Sequence, residues 1–175
     1  MLVIFRSYFV IHFDSERIVL YGQSSNSSLT FVQVLKKMRT ILKSGKYSQI
    51  PQLTSSRKMD VTQKFDLIPP ACTGTKRAIL IGINYVGQTG QLSGCHNDCL
   101  NMKDYVTKTY GIEEGNVVVL MDDGKHTEPT RANILAAYAE AVAISESGDA
   151  LFCHYSGMSL CVLFYKRVLL LVSCS

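Results

Sequence analysis

Three apolar runs separated by two helical patterns, all within residues 77–155, constrain this chain more than any other feature. Arg77-Ala78-Ile79-Leu80-Ile81-Gly82-Ile83-Asn84-Tyr85 is nearly continuous in apolar side chains. A strand holds such a run only when both of its faces are covered, as inside a parallel sheet. Residues 116–121 repeat the pattern and are closed by Asp122-Asp123-Gly124; residues 150–155 form the third run. Between them, residues 97–109 set Met102, Tyr105 and Val106 on one helical face. A further helix, capped by Thr130, has Ile134, Leu135, Tyr138 and Val142 as its expected core face. Alternation of this kind builds right-handed βαβ units. The expected fold is α/β, with parallel central strands near 77–84, 116–121 and 150–155.

The first half reads differently. Residues 1–28 fit no assigned unit; they suggest one or two short strands and then a polar turn, Gln23-Ser24-Ser25-Asn26-Ser27-Ser28. A helix over 30–44 follows. Thr30 and Gln33 have capping-box spacing, and Val34, Leu35, Met38, Ile41 and Leu42 make an apolar stripe. Gly45 stands where a left-handed C-terminal residue is expected. The helix should lie on one face of the sheet. Residues 51–59 read as polar and irregular. Phe65-Asp66-Leu67-Ile68 is a short strand candidate that Pro69-Pro70 stops, and 69–75 reads as a linker.

Composition narrows the function classes. A chain of 175 residues fits one domain. Its six cysteines contain no Cys-x-x-Cys pair and none lies before Cys72, which is no disulfide framework and points to a reducing, cytoplasmic setting. Cys95 and Cys99 have helical spacing, but zinc needs two further ligands, so no metal site is expected. Residues 1–13 are apolar but interrupted by Arg6, without a basic start or a small-residue cleavage site. Residues 160–172 fall short of the ~20 that a spanning helix needs and contain Lys166-Arg167. No membrane association is expected. The tail 160–172 is assigned instead to the uncovered edge of the sheet, where an open edge and apolar face are costly. Lys36, Lys37, Arg39, Lys43, Lys46, Arg57, Lys58 and Lys64 lack aromatic interleaving, so they read as a solvated face and not as a nucleic-acid site.

The candidate chemistry gathers after the first and third strands. Gly82, Gly87 and Gly90 do not make Gly-x-Gly-x-x-Gly, so the first loop reads as backbone freedom and not as a phosphate cradle. Ser93-Gly94-Cys95-His96-Asn97-Asp98 opens a helix at the mouth of the sheet. A thiol at a helix N-terminus has a lowered pKa, which makes Cys95 a candidate nucleophile. Asp98 either caps the helix, the commoner use, or presents a carboxylate to a cationic substrate. His154-Tyr155-Ser156-Gly157 ends a strand at the carboxyl edge, where open α/β sheets bind ligands. A lone His in such a place is more often a structural hydrogen-bonder than a base.

Together these segments resemble a metacaspase, a caspase-like cysteine endopeptidase. Residues 76–85 are similar to the first strand of the family's p20-type region. Leu92-Ser93-Gly94-Cys95-His96-Asn97-Asp98 resembles its L-x-G-C-x-N-D element, and Gly148-Asp149 through Gly157 resembles G-D-x-L-x-x-H-Y-S-G. Tyr110-Gly111, Val119-Leu120-Met121-Asp122 and residues 127–134 follow in the family's order. Residues 29–67, with Pro51-Gln52-Leu53-Thr54-Ser55-Ser56 and Met59-Asp60-Val61, resemble the end of the p10-type region. A p10-like region (29–70) ahead of a p20-like region (71–157) is similar to the type III arrangement of algae, with 158–175 a tail outside the family pattern.

The resemblance implies a caspase-like, mostly parallel sheet with flanking helices, here incomplete. It implies proteolysis after Arg or Lys, with Cys95, Asp98 and Ser156 in the substrate pocket and a further acidic member missing. The family motif H-Y-S-G-H-G has its general base where this chain has Met158, followed by Ser159. The family's Cys, in D-x-C-H-S-G, and its calcium-binding loop would lie farther along. A truncated, inactive form with no intact catalytic pair and no cofactor of its own is therefore expected, calcium belonging to full-length members. The alternative is a catalytically dead protein that binds a partner, such as another metacaspase chain, through an open sheet edge. A third reading makes Cys95 the nucleophile, with His96 or His154 as its base.

Overall fold

The computed structural model describes residues 9–12, 29–46, 50–55, 58–68 and 72–158. Its elements are β1 (Phe9–His12), α1 (Phe31–Ser44), β2 (Gln52–Ser55), β3 (Lys76–Gly82), α2 (Cys95–Tyr110), β4 (Val117–Met121), α3 (Arg131–Ala143) and β5 (Ala150–Ser156). Strands β4, β3 and β5 form a parallel sheet in that order. Ala78 lies opposite Val117 and Phe152, and Gly82 opposite Met121 and Ser156.

The central place of β3 explains its composition. Ala78, Ile79, Leu80 and Ile81 are at most 1% exposed. Side chains alternate along a strand, so Ala78 and Leu80 pack with Cys99, Met102, Tyr105 and Val106 of α2. Ile79 and Ile81 face the other way, toward Tyr138 and Ala141 of α3. The sheet thus carries a helix on each face, the caspase-like α/β arrangement that the sequence implies. The close fit of α2 depends on Gly82: a Cβ there would meet the Cys95 carbonyl oxygen at 2.6 Å and Cys99 Cβ at 3.0 Å.

Several local expectations need correction. The buried seam of α3 passes through Tyr138 and Ala141, with Ile134 and Ala137 partly buried, at i, i+3, i+4 and i+7. Leu135 is one residue off that seam and is exposed. Residues 51–59 are not all irregular, because β2 pairs antiparallel with β1, Phe9 opposite Ser55 and His12 opposite Gln52. That partner is distant in sequence, which local polarity does not reveal. Residues 65–68 form no strand. The Leu67 N–H donates to the Tyr110 hydroxyl (3.2 Å) and the Ile68 N–H to Asp66 Oδ1 (3.2 Å), so these donors are spent on side chains and not on a ladder. Pairing there is limited to one antiparallel bridge, Thr30 with Lys64.

Helix α1 starts as its sequence predicts. The Thr30 N–H donates to Gln33 Oε1 (2.8 Å) and the Gln33 N–H to Thr30 Oγ1 (3.3 Å). At its far end Gly45 has φ −78°, and the positive φ falls on Lys46 at 62°. Phe31, Val34, Met38 and Leu42 are buried. Neither cluster on the sheet includes them. The helix docks on the 61–65 segment instead: the N–H groups of Phe31 and Val32 donate to the carbonyls of Gln63 and Val61, and the Phe31 and Phe65 rings meet edge to face at 5.2 Å. The expected placement of α1 on a face of the sheet is corrected accordingly. The expected tail strand at 160–172, most of 1–28 and residues 69–71 lie outside the described residues. Among the described residues, no helix is long and apolar enough to cross a membrane.

Candidate functional site

Parallel strands end together, so the segments after β3, β4 and β5 meet at one edge of the sheet with the start of α2. Asn84 organises that edge. Its N–H donates to Asp122 Oδ1 (2.9 Å), its carbonyl accepts from the Leu92 N–H (2.7 Å), and its side-chain Oδ1 accepts from the Cys95 N–H (3.0 Å). The last contact supplies what Gly94, the N-cap residue, cannot, since glycine has no side chain to satisfy the first N–H groups of a helix. Asp122 also accepts from the Val86 N–H (3.1 Å) and from His96 Nε2 (2.6 Å). Partial burial opposes its charge, but His96 and the N–H groups of Asn84 and Val86 outweigh it and hold the carboxyl below its usual range.

Beneath this lacing, Cys95, Asp98, His154 and Ser156 are all buried. His154 and Ser156 share one face of β5 by strand alternation. The Ser156 hydroxyl donates to Asp98 Oδ2 at 2.7 Å. Asp98 Oδ1 is buried without a hydrogen-bond partner, and so is His154 Nε2. No ion pair among the described residues involves Asp98. Capping, the commoner use, is not what Asp98 does: it is the fourth residue of α2 and its carboxylate turns to β5. Burial pushes the Cys95 thiol up, and the charges of Asp98 and Asp122 add to this, while the Ser156 hydroxyl offsets part of it. The expectation of a lowered Cys95 pKa is therefore corrected; burial and two carboxylates outweigh the helix end. Neither candidate base touches the thiol. His96 is held by Asp122, and His154 is kept neutral by burial, its pKa lowered to about 4 against the pull of Asp98.

The turn after β5 is fixed by two tyrosines. The hydroxyls of Tyr85 and Tyr155 share a hydrogen bond of 3.2 Å, and the Tyr155 hydroxyl also donates to the Met158 carbonyl at 3.2 Å. A Cβ at Gly157 would meet that hydroxyl at 2.8 Å, so a larger residue there would have to displace the Tyr155 ring.

Residues 76–164 match the family model for the metacaspase, peptidase C14 domain. The chain belongs to the metacaspase family. It is 54% identical over 142 residues to metacaspase III c of Phaeodactylum tricornutum, covering 79% of this chain and 42% of that protein. It is 49% identical over 89 residues to metacaspase-1A of Aspergillus oryzae, covering 50% of this chain and 21% of the fungal protein. A similar segment, 48% identical over 88 residues, occurs in metacaspase-1 of Emericella nidulans. The chain thus spans about two fifths of the algal metacaspase and about one fifth of the fungal ones. A match of 142 residues exceeds the distance from residue 76 to Ser175, so the likeness to the algal metacaspase reaches into the first half.

Within this metacaspase chain the structure brings Cys95, Asp98 and Ser156 together. Met158 follows the turn after β5 and is 40% exposed, its carbonyl accepting from Tyr155 and its methyl group close to Gly90. Sequence reasoning missed Asn84, Asp122 and the Tyr85–Tyr155 pair. The rule that ligand sites lie beyond the carboxyl ends of parallel strands points to all of them, since they follow or end β3, β4 and β5. Among the described residues no group of three His, Cys, Asp or Glu side chains could hold a metal ion.

Proposed function

We propose that this chain carries the basic-residue pocket of a metacaspase-type cysteine endopeptidase, acting on proteins or peptides with Arg or Lys at P1, and that the 175 residues do not themselves cleave peptide bonds. One observation supports the pocket above all: a buried carboxyl group, Asp98, has one oxygen on Ser156 and the other without a hydrogen-bond partner among the described residues. A buried charge without a counterion is expensive. A guanidinium or ammonium group supplies both the missing donor and the missing charge. Cys95 lines the same place as a thiol burial keeps neutral. The p10-like region (29–70) preceding the p20-like region (71–157) is part of this reading, supported by the length of the algal match.

Inactivity rests on position 158. In the resemblance that residue is the base, and a methionine takes no proton at neutral pH. The sequence also contains no Asp-x-Cys-His-Ser-Gly element. Calcium activation belongs, on this reading, to the longer members. The test is direct: the purified chain, incubated with Arg-P1 and Lys-P1 reporter peptides and calcium, should show no turnover above buffer. Turnover that Cys95→Ser abolishes would overturn inactivity and make Cys95 the nucleophile. Binding is read separately, as a thermal shift with millimolar agmatine that Asp98→Asn removes; no shift in the parent chain counts against the pocket.

A second reading, a partner-binding protein without catalysis, is favoured by one feature. β5 lies at the border of the sheet, and among the described residues no strand pairs with its outer edge. Another metacaspase chain is the partner this reading names, and co-purification with one from mixed expression is its measurement.

A further inference from the structure

Among the described residues, two buried side chains where α2 packs on β5 leave a polar atom without a partner: Asp98 at Oδ1 and His154 at Nε2. The basic-residue pocket uses only the first. Phe152 packs against the α2 cluster, and strand alternation turns His154 and Ser156 to the same side. The Ser156 hydroxyl holds Asp98 Oδ2 at 2.7 Å. His154 stands one same-face position back along the strand, a step of about 6.6 Å. A histidine that merely fills a core is expected to pair its ring nitrogens, because an unmade hydrogen bond in the interior is costly.

The surroundings of His154 are simple. α2 buries Cys95, Asp98, Cys99 and Met102. β3 sets Leu80 opposite His154, and Tyr138 and Cys153 belong to the cluster on the other face of the sheet. Burial pushes both α2 thiols up, Cys99 to about 12, so neither is charged at neutral or acid pH. Among the described residues Asp98 is the one charge that acts on His154; it draws a proton to the ring, while burial holds the ring neutral down to about 4. No ion pair joins the two. Each lacks what the other can give. A protonated imidazole is a cation with a donor at both nitrogens, and a carboxylate oxygen takes both the hydrogen bond and the charge.

We propose that His154 is a positioning residue of the pocket and the internal rival of its ligand: neutral, it leaves the Asp98 carboxylate to a guanidinium or ammonium group, and protonated, it is itself the counterion. His154 acts through Asp98 and needs no contact with the ligand. The two cations compete because one carboxyl group serves both, and like charges held together in a buried site repel. Binding of a basic ligand therefore releases the proton of His154 to solvent, and uptake of that proton releases the ligand. The pocket is open to ligand at neutral pH and is closed from within on acidification. What this says of the ligand rests on the basic-residue pocket proposed above; the coupling of His154 to Asp98 does not.

Proton NMR of the full chain tests the couple, with the His154 ring resonance identified by its absence from His154→Gln. Its titration midpoint should fall by about 1 pH unit in Asp98→Asn, where the attracting charge is gone. Saturation of the parent chain with agmatine should lower the midpoint as well, because competition between proton and ligand is reciprocal. At the His154 midpoint half of the chains are closed to ligand, so the loss of agmatine affinity from pH 7 to that pH should be about twofold larger in the parent than in His154→Gln. His154→Lys puts a permanent cation beside Asp98. At pH 7 agmatine should no longer shift its melting temperature, and adding Asp98→Asn to it should lower stability by stranding that cation. A His154 midpoint that Asp98→Asn leaves in place overturns the inference. Agmatine that binds the parent without moving the midpoint, or that still binds a folded His154→Lys chain, overturns it and leaves the pocket standing. A parent chain that binds no agmatine at pH 7 counts against the pocket and against competition with its ligand, and the Asp98→Asn titration alone then upholds or overturns the coupling.

Discussion

At the scale of single residues, the buried polar groups behave differently from one another. Asp98 is a buried carboxyl group with no ion pair and no second hydrogen-bond partner among the described residues, so it is a cost to stability kept at the ligand edge of the sheet. Asp98→Asn keeps an acceptor for Ser156 and removes the charge. Urea unfolding at pH 7 should give a stability equal to the parent or higher by up to about 2 kcal/mol, while agmatine no longer shifts the melting temperature. A loss of stability would mean that the carboxylate has a counterion in the folded chain. His154 adds a pH dependence. Its folded pKa of about 4 lies below the ordinary 6.5, so between these values the unfolded chain takes up a proton that the folded chain refuses. Stability should therefore fall as pH drops through this window, by about 3 kcal/mol in all. Asp122 and Asp149, held below the usual carboxylate range, lose their contributions at lower pH. The check is the urea midpoint at pH 7, 5.5 and 4.5, compared with His154→Gln, in which the slope over this interval should largely vanish.

At the scale of elements, what decides is how closely β3 and α2 approach. Gly82→Ala puts a methyl group against the Cys95 carbonyl, a backbone atom that cannot swing away. The expected cost is about 1–3 kcal/mol by overpacking, read as a lowered urea midpoint with an unchanged m-value. A fully stable variant would show that α2 can slide on the sheet. Elements of this kind were legible before any coordinates, because β3 buries both faces and its run of Ala78 to Ile81 has no other explanation. The Thr30–Gln33 capping box was equally plain, being a contact across three residues. What stayed hidden depends on distant partners. β2 exists through β1, residues 65–68 lose their ladder to Tyr110 and Asp66, and the carboxylate of Asp98 is turned from its helix by Ser156, 58 residues on. Cys95 and Asp98 at a helix start and Ser156 at a strand end stood out from the residues themselves, and the motif resemblance joined them in one pocket. Asn84 and Asp122 needed the strand-end geometry, since an Asn after a strand and an Asp in a turn are ordinary on sequence alone.

At the scale of the whole molecule, the buried side chains of α1 belong to neither of the two apolar clusters described on the sheet. The sheet core is tied at its amino edge by Asp149, whose side chain is 7% exposed. It pairs with Arg77 Nη1 at 2.6 Å and accepts from the N–H groups of Thr75 (2.7 Å) and Glu146 (3.1 Å). Asp149→Ala removes the partner of Arg77 and the acceptor of two N–H groups that water can reach, and should cost about 1–3 kcal/mol; the measurement is the urea midpoint at pH 7. Helix α1 is held differently, by Phe31, Val34, Met38 and Leu42 on one side and the short 61–65 pairing on the other. Stability in a folded chain is not uniform, and an element outside the sheet's clusters can open without the rest. Native-state hydrogen exchange should therefore separate them. Amides of β3 from Ala78 to Gly82 should exchange only through global unfolding, because this strand is paired on both sides and covered on both faces. Amides in the middle of α1 should exchange through a smaller opening, at least about 2 kcal/mol below the global value, and with weaker denaturant dependence because less surface is exposed. If both sets exchange with one free energy and one slope, α1 and the sheet are one cooperative unit.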